Sequence, residues 1–250
     1  MGIGAYTVAV LMTMFHFNFF LAVLVGMILS MALGYFLGFV FSKLSGDYFV
    51  LATLSFTMIV YSLAQNLEML TRGPLGIPGI GPPILFGFAF NTHSLFLILA
   101  ILFFGFSYLL LHFVAKSSFG RVLQAIREDD KTIQIFGYNT RYYKLIVFVI
   151  TSAFCALAGG LFASYLTFID PPSFNLTLSI FVLATIIVGG LSSLEGTILG
   201  VFLLVLIPEV LRFIGFSADI AGQSREFVYG LILVLFMLYR PKGILGKYRL

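Results

Sequence analysis

The chain has 250 residues, of which 60% are hydrophobic and only 10% charged, and its mean hydropathy is +1.10. Soluble domains average roughly 45–50% apolar and about 25% charged residues, and a fold of this size must leave a large surface facing water. A water-soluble domain is thereby excluded, and an integral membrane protein remains. The net charge of +4 would suit nucleic acid in a soluble protein; here it follows membrane topology, so lipid is an expected partner and nucleic acid is not.

No Asp, Glu, Lys or Arg occurs before Lys43, and the stretches 48–67, 73–115, 145–169 and 171–194 also lack them. A helix needs about 20 apolar residues to cross a bilayer core. These runs are continuous rather than alternating, which argues against barrel strands. In chain order, eight hydrophobic segments are predicted, at 3–15, 19–41, 48–67, 94–115, 145–168, 177–193, 198–214 and 227–239. The first and last hold about 13 residues each, short for a span, although Tyr239 and Arg240 can anchor the last at the interface. The first opens at Met1 on the small-residue run GIGA, as though a preceding span were missing, and is expected to pack poorly alone. The third opens on Gly46 and Asp47 and carries several hydroxyls, which suits a broken or re-entrant stretch. The fold expected is all-α, a single polytopic bundle over 1–250.

Eight crossings place both termini on one side. Loops on that side carry Lys43, Lys116, Arg121, Arg127, Lys131, Arg141, Lys144, Arg240, Lys242, Lys247 and Arg249, against Arg72, Arg212 and Arg225 opposite. The positive-inside rule then makes both termini cytoplasmic. Small residues recur at helix-packing spacing, Gly34 with Gly38, Ala156 with Gly160 and Gly196 with Gly200, where backbones can approach closely in lipid. The single cysteine, Cys155, lies mid-span and reads as a small core residue.

The one long charged stretch is 116–144, KSSFGRVLQAIREDDKTIQIFGYNTRYYK. Phe119, Val122, Leu123, Ile126, Ile133 and Phe136 fall near one helical face, interrupted by Asp129 and Asp130. Ser117 or Ser118 can cap the start, Gly137 can stop the helix, and Asn139 or Thr140 can cap the next one. One or two short amphipathic helices under the bilayer are expected. Lipid headgroups are one surface for them to meet, but Glu128, Asp129 and Asp130 would be repelled by anionic lipid, which favours a protein.

The ordered motifs GIGAYT (2–7), GDYFVLATLSF (46–56), TRGPLGIPGI (71–80), FGRVLQAIREDD (119–130), FGYN (136–139), ALAGGLFASYLTFIDPPSF (156–174) and IIVGGLSSLEGTILG (186–200) span nearly the whole chain. Together they resemble the permease subunits of branched-chain amino acid ABC transporters, in particular the LivM-like half. The resemblance implies an inner-membrane importer subunit working with a LivH-like second permease, two ABC ATPases and an external solute-binding protein. It makes 116–144 the loop that enters a cleft on the ATPase, with Arg121, Arg127, Glu128, Asp129 and Gly137 as its contact and turn residues. Members of the family carry one or two further spans upstream, so upstream spans absent from this chain are implied. Coupling loops of ABC importers often hold Glu-Ala-Ala ahead of their glycine; the equivalent place here reads Lys131-Thr132-Ile133, and the assignment rests on the wider IREDD…FG pattern.

Other candidates lie along the spans. Thr53 and Thr57 share a helical face that suits a polar path for a zwitterion, although both can also bond to their own helix. Glu209, after Pro208, is the most deeply placed carboxylate and a further path candidate, with Arg212 at i+3 as an alternative partner. Asp47 suits an N-cap. The segment 73–83, GPLGIPGIGPP, with Gly73, Pro74 and Gly76, reads as a compact, non-helical external turn near a binding-protein dock.

No GxxxxGK[ST] phosphate loop is present, so ATP belongs to a partner and no cofactor is expected on this chain. No metal-ligand spacing and no H-E-x-x-H or G-x-S-x-G motif occurs, and the chain does not read as an enzyme. A urea or short-amide permease is the nearest alternative. An ion-coupled carrier needs ionisable groups at mid-span, which only Glu209 approaches. A channel without energy coupling would leave the organised loop without a purpose.

Overall fold

The computed structural model describes residues 1–42, 44, 47–85, 88–213, 230–231, 234, 236 and 243–246. The helices are α1 (Gly2–Thr13), α2 (Phe19–Phe41), α3 (Asp47–Asn66), α4 (Glu68–Thr71), α5 (His93–Lys116), α6 (Ser118–Glu128), α7 (Asp130–Ile135), α8 (Thr140–Leu166), α9 (Leu176–Gly189) and α10 (Leu194–Phe213). Among the described residues, four two-residue strands, β1 (Ile77–Pro78), β2 (Ile84–Leu85), β3 (Phe88–Ala89) and β4 (Phe168–Ile169), pair antiparallel as β1 with β4 and β2 with β3. The first seven predicted segments each coincide with a helix. Among the described residues, however, five stretches are long and apolar enough to cross a membrane: Phe19–Phe41, Tyr48–Asn66, His93–Lys116, Thr140–Leu166 and Pro171–Gly189. The expected eight spans are therefore not reached there; α1 and Leu194–Leu206 are shorter apolar helices, and segment 227–239 lies largely outside the described residues.

Two compact units form, Met1–Phe174 and Asn175–Leu250. In the first, α1, α2 and α8 pack together. Asn18 caps α2 by accepting from the Phe20 N–H at 3.0 Å. The inward stripe of α2 is Ala22, Gly26, Ser30, Gly34 and Gly38, all buried. A Cβ on Gly34 would overlap the Ser152 hydroxyl of α8, and one on Gly38 would lie 3.2 Å from Phe148. Gly4 of α1 sits directly on the Ala156 backbone, and Gly160 faces Val8 and Val23. The predicted small-residue pairs thus mark where backbones meet.

Three expectations change here. Segment α1 is among the best-buried parts of the molecule, with Ala5, Val8 and Ala9 fully covered, because its small side chains fit between α2 and α8; shortness limits spanning, not packing. The third segment is one unbroken helix from Asp47 to Asn66. Cys155 is exposed, on the side of α8 that turns away from Ala156 and Leu157.

The segment 73–83 is more than a surface turn. It forms a 3₁₀ turn over Gly73–Leu75 and then strand β1, registered Ile77 to Ile169 and Pro78 to Phe168. Ile77, Ile80 and Ile169 are buried against Ala5, Ala9 and Ala163. The Thr167 carbonyl accepts from the Gly79 and Ile80 N–H groups, both at 3.1 Å, with Thr167 itself left-handed at φ +57°. The α8–β4 junction and the segment after α4 therefore meet at one end of this unit. The Asn18 side-chain amide donates to the Ile84 carbonyl at 2.9 Å, joining the α1–α2 turn to the same end. Segment 116–139 leaves from the other ends of α5 and α8.

In the second unit, α9 and α10 cross at glycines. Gly189 and Gly196 touch backbone to backbone, Gly200 lies on the Thr185 carbonyl, and Ala184, Val188 and Leu204 form the core. The N–H groups of Ile244 and Leu245 donate to the Val188 and Gly189 carbonyls, both at 3.0 Å.

Candidate functional site

The loop between α5 and α8 is built by its caps. Ser117, in extended backbone, ends α5 and accepts from the Gly120 N–H at 3.3 Å to start α6. Phe119, Val122, Leu123 and Ile126 share one α6 face as expected, and that face turns inward on the chain itself; Ile126 is buried, and the Phe119 ring stacks on Tyr143 of α8 at 5.3 Å. Asp129 is extended (φ −152°) and breaks the helix. Its carboxylate accepts from the Lys131 and Thr132 N–H groups, at 3.0 and 3.2 Å, and from the Thr132 hydroxyl. These bonds, the Thr132 hydroxyl first, hold the carboxyl below its ordinary range.

Helix α7 is then tied to α8 at two points. At its start, Lys144 donates to Asp130 Oδ2 at 2.7 Å, which lowers the Asp130 carboxyl below its ordinary range. Near its end, Gln134 Nε2 donates to Oγ1 of the buried Thr140 at 3.0 Å. Gly137, at φ +86°, turns the chain: its N–H meets the Gln134 carbonyl and the Tyr138 N–H meets Ile133. Asn139 caps α8 by accepting from the Tyr142 N–H at 3.3 Å.

What this scaffold presents outward differs from the sequence expectation. The break at Asp129 resets the helical phase, so Phe136 does not continue the packed face; it is 73% exposed, beside Ile135 at 84%. The end of this doubly tethered helix thus leaves two large apolar side chains uncovered. Sequence reasoning missed Ile135 and the tethers Lys144, Gln134 and Thr140. The only signal for the tethers was an acid and a base flanking a glycine turn, 14 residues apart.

The five loop candidates all fall on this element, with different surroundings. Arg121 donates to the Ser118 hydroxyl at 2.9 Å and to the Lys116 carbonyl at 3.3 Å. Arg127 pairs with the adjacent Glu128 at 2.9 Å, both exposed. Asp129 and Gly137 shape the backbone. Thr53, Thr57, Gly73, Pro74 and Gly76 lie elsewhere in the same unit. On α3, Thr53 Oγ1 donates to the Val50 carbonyl and Thr57 Oγ1 to the Thr53 carbonyl, both at 2.9 Å. Glu209 lies in α10, but its side chain, like those of Arg212 and Asp47, falls outside the described residues. Gly73 (φ +58°) and Gly76 (φ +68°) are buried and Pro74 exposed; a Cβ on Gly76 would overlap the Ile169 carbonyl. The Thr71 hydroxyl donates to the Ala64 carbonyl at 2.7 Å and accepts from the Gly73 N–H at 3.1 Å, fixing the start of that segment.

Apolar helices long enough to cross a bilayer, packed through glycines and joined by a structured, charged loop, define a polytopic α-helical membrane protein. Residues 1–238 match the family described as the permease component of branched-chain amino acid transport systems, and the chain belongs to that family. It is 34% identical over 270 aligned residues to the high-affinity branched-chain amino acid transport system permease protein LivM of Escherichia coli K12, covering 99% of this chain and 62% of the relative. The probable branched-chain amino acid transport permease protein LivM of Methanocaldococcus jannaschii is 26% identical over 239 residues, covering 90% of this chain and 68% of that protein. LivH of Escherichia coli K12, a high-affinity branched-chain amino acid transport system permease protein, is 32% identical over 136 residues, or 54% of this chain and 42% of LivH. The chain thus spans about three-fifths of the length of the LivM relative from Escherichia coli. No solved structure matches it.

Proposed function

We propose that this chain is a permease subunit of an ABC importer for branched-chain or related amino acids, in the inner (plasma) membrane with both termini cytoplasmic. Residues 1–250 act as one permease domain, and 116–144 is its cytoplasmic coupling loop. The partners are a LivH-like permease, two ATPases that use the ATP, and an external solute-binding protein; the chain binds no cofactor and catalyses no reaction itself. One observation carries the coupling role: Ile135 and Phe136 stand out from a helix fixed to α8 through Asp130–Lys144 and Gln134–Thr140. A helix held at both ends transmits displacement, so a partner that binds it more tightly in one state shifts the permease toward that state. Arg121, Arg127 and Glu128 supply rim charges, while Asp129 and Gly137 set the helix direction. Thr53, Thr57 and Glu209 are the path residues, and Gly73, Pro74 and Gly76 shape the external segment near the binding-protein dock.

The test compares wild type with an Ile135→Ser, Phe136→Ser double variant and with Glu128→Lys. Asp129 is left intact because its loss would uncap α7. Truncating a central aromatic anchor costs about 2 kcal/mol or more, roughly thirtyfold in affinity; a rim charge costs about 0–1 kcal/mol. Co-purified ATPase and ATP-dependent leucine uptake should fall steeply in the double variant and slightly in Glu128→Lys. Unchanged association with unchanged uptake removes the loop from the mechanism.

A further inference from the structure

Behind the loop lies a cavity of about 460 Å³, walled by the loop-side ends of α2, α3 and α8 and by Leu123 of α6. That volume falls in the roughly 300–1,000 Å³ range of small-molecule sites. Phe41, Phe49 and Phe148 make its apolar walls, with the Phe41 ring edge-on to the other two at 6.2 and 6.4 Å. The Ser42 hydroxyl is turned back to the Phe39 carbonyl, so Lys144 is the one charged group among the described residues that line the cavity. Its ammonium is held by Asp130, and the two side chains remain 45% and 39% exposed, open to a competing anion from solvent or from a membrane surface. An aromatic slot with a cation at its edge, set where spans meet a positively charged loop, fits a ligand with an apolar tail and an anionic head.

We propose that the cavity takes an acyl chain of an anionic phospholipid from the leaflet on the loop's side, with the headgroup phosphate on Lys144. Because Lys144 also holds Asp130, the phosphate and the α7 carboxylate compete for one ammonium. With lipid bound, α7 keeps its Gln134–Thr140 tether and loses the other. Lipid charge therefore sets how firmly the start of α7 is held, and so how far the helix carrying Ile135 and Phe136 can pivot about its remaining tether. A zwitterionic headgroup carries its own cation beside the phosphate and competes less well.

The chain contains no tryptophan, so Phe148→Trp places a unique fluorophore in the cavity wall. The full chain carrying this change is reconstituted in phosphatidylcholine nanodiscs doped with brominated phosphatidylglycerol or, separately, brominated phosphatidylcholine. Quenching by the brominated phosphatidylglycerol should be several-fold stronger. Lys144→Gln should abolish the preference, Lys144→Arg should keep it, and Asp130→Asn should strengthen it by removing the competitor. Equal quenching by the two lipids overturns the proposal, as does a preference that survives Lys144→Gln. If Lys144→Gln fails to fold, Asp130→Asn decides: a preference that does not rise removes the competition. Inorganic phosphate, which has no tail, should relieve the quenching only far less potently than unbrominated phosphatidylglycerol; equal potency overturns the acyl-chain assignment. The measurement needs no ATPase, so its failure leaves the transport reading untouched, and the reverse holds.

Discussion

Helices α2 and α8 are matched in apolarity by α5, yet they differ in what covers them. Their most apolar windows have mean hydropathies of 2.3, 2.4 and 2.5, but 28% of the α2 and α8 windows is buried against 11% for α5; for α3, at 1.5, the value is 0%. In lipid, apolarity gives no drive for one helix to leave the acyl chains for another. What separates the helices is the stripe of small residues. On α2 it runs unbroken from Ala22 through Gly26, Ser30 and Gly34 to Gly38, whereas Gly105 of α5 has nothing within 4 Å of where a Cβ would sit. Hydropathy decides which segments enter the membrane; side-chain size decides which of them touch.

The sharpest way to break this comparison is to put the same side chain on both helices. Gly34→Leu should destabilise the protein by about 3 kcal/mol, the upper part of the overpacking range, because its branches meet Ser152 and the Phe148 carbonyl. Thermal unfolding in detergent, followed by loss of the monodisperse peak, would register it; a wild-type melting point would refute close α2–α8 packing. Gly76→Ala should cost about 2 kcal/mol, since a left-handed backbone and the Ile169 carbonyl both oppose a Cβ. It should raise protease sensitivity in 73–83 first.

A smaller effect distinguishes the loop from the buried trio. Asp130 titrates below its ordinary value in the folded protein, so its pairing with Lys144 contributes fully above the unfolded carboxyl pKa, near 3.9, and is lost as pH falls through the lower folded value. For this partly exposed pair the contribution is about 0–1 kcal/mol. Amide exchange of 130–135, corrected for intrinsic rates, should stay flat from neutral pH to about pH 5 and rise only below about pH 4. A rise near neutrality would assign the tether to another group. Smallest of all, Gly105→Leu should shift stability by no more than about 0.5 kcal/mol, the contrast that makes the Gly34 result interpretable.

Much of the candidate loop was legible in the sequence because caps are local. Ser117, Asn139 and Gly137 do what their residue types and spacing require, and Asp129 marks the break. The phase beyond that break was not legible. Extending one helical period across Asp129 put Phe136 on the face of Phe119 and Ile126, whereas the extended backbone at Asp129 rotates α7 and leaves Phe136 exposed. The tethers were hidden for a similar reason: Asp130 and Lys144 meet only once Gly137 has reversed the chain.

The sequence alone determined the solvent of this protein, the helical state of its segments and the positions of its glycine seams. Each of these depends on composition or on periods of a few residues. Only the tertiary structure decided that the short α1 is buried at the centre of its unit, and that Gly76 and Ile77 dock on Ile169. It also decided that one lysine both pairs with Asp130 of α7 and lines an aromatic cavity. Those outcomes depend on which surfaces, distant along the chain, find complementary shapes, and no local pattern encodes that.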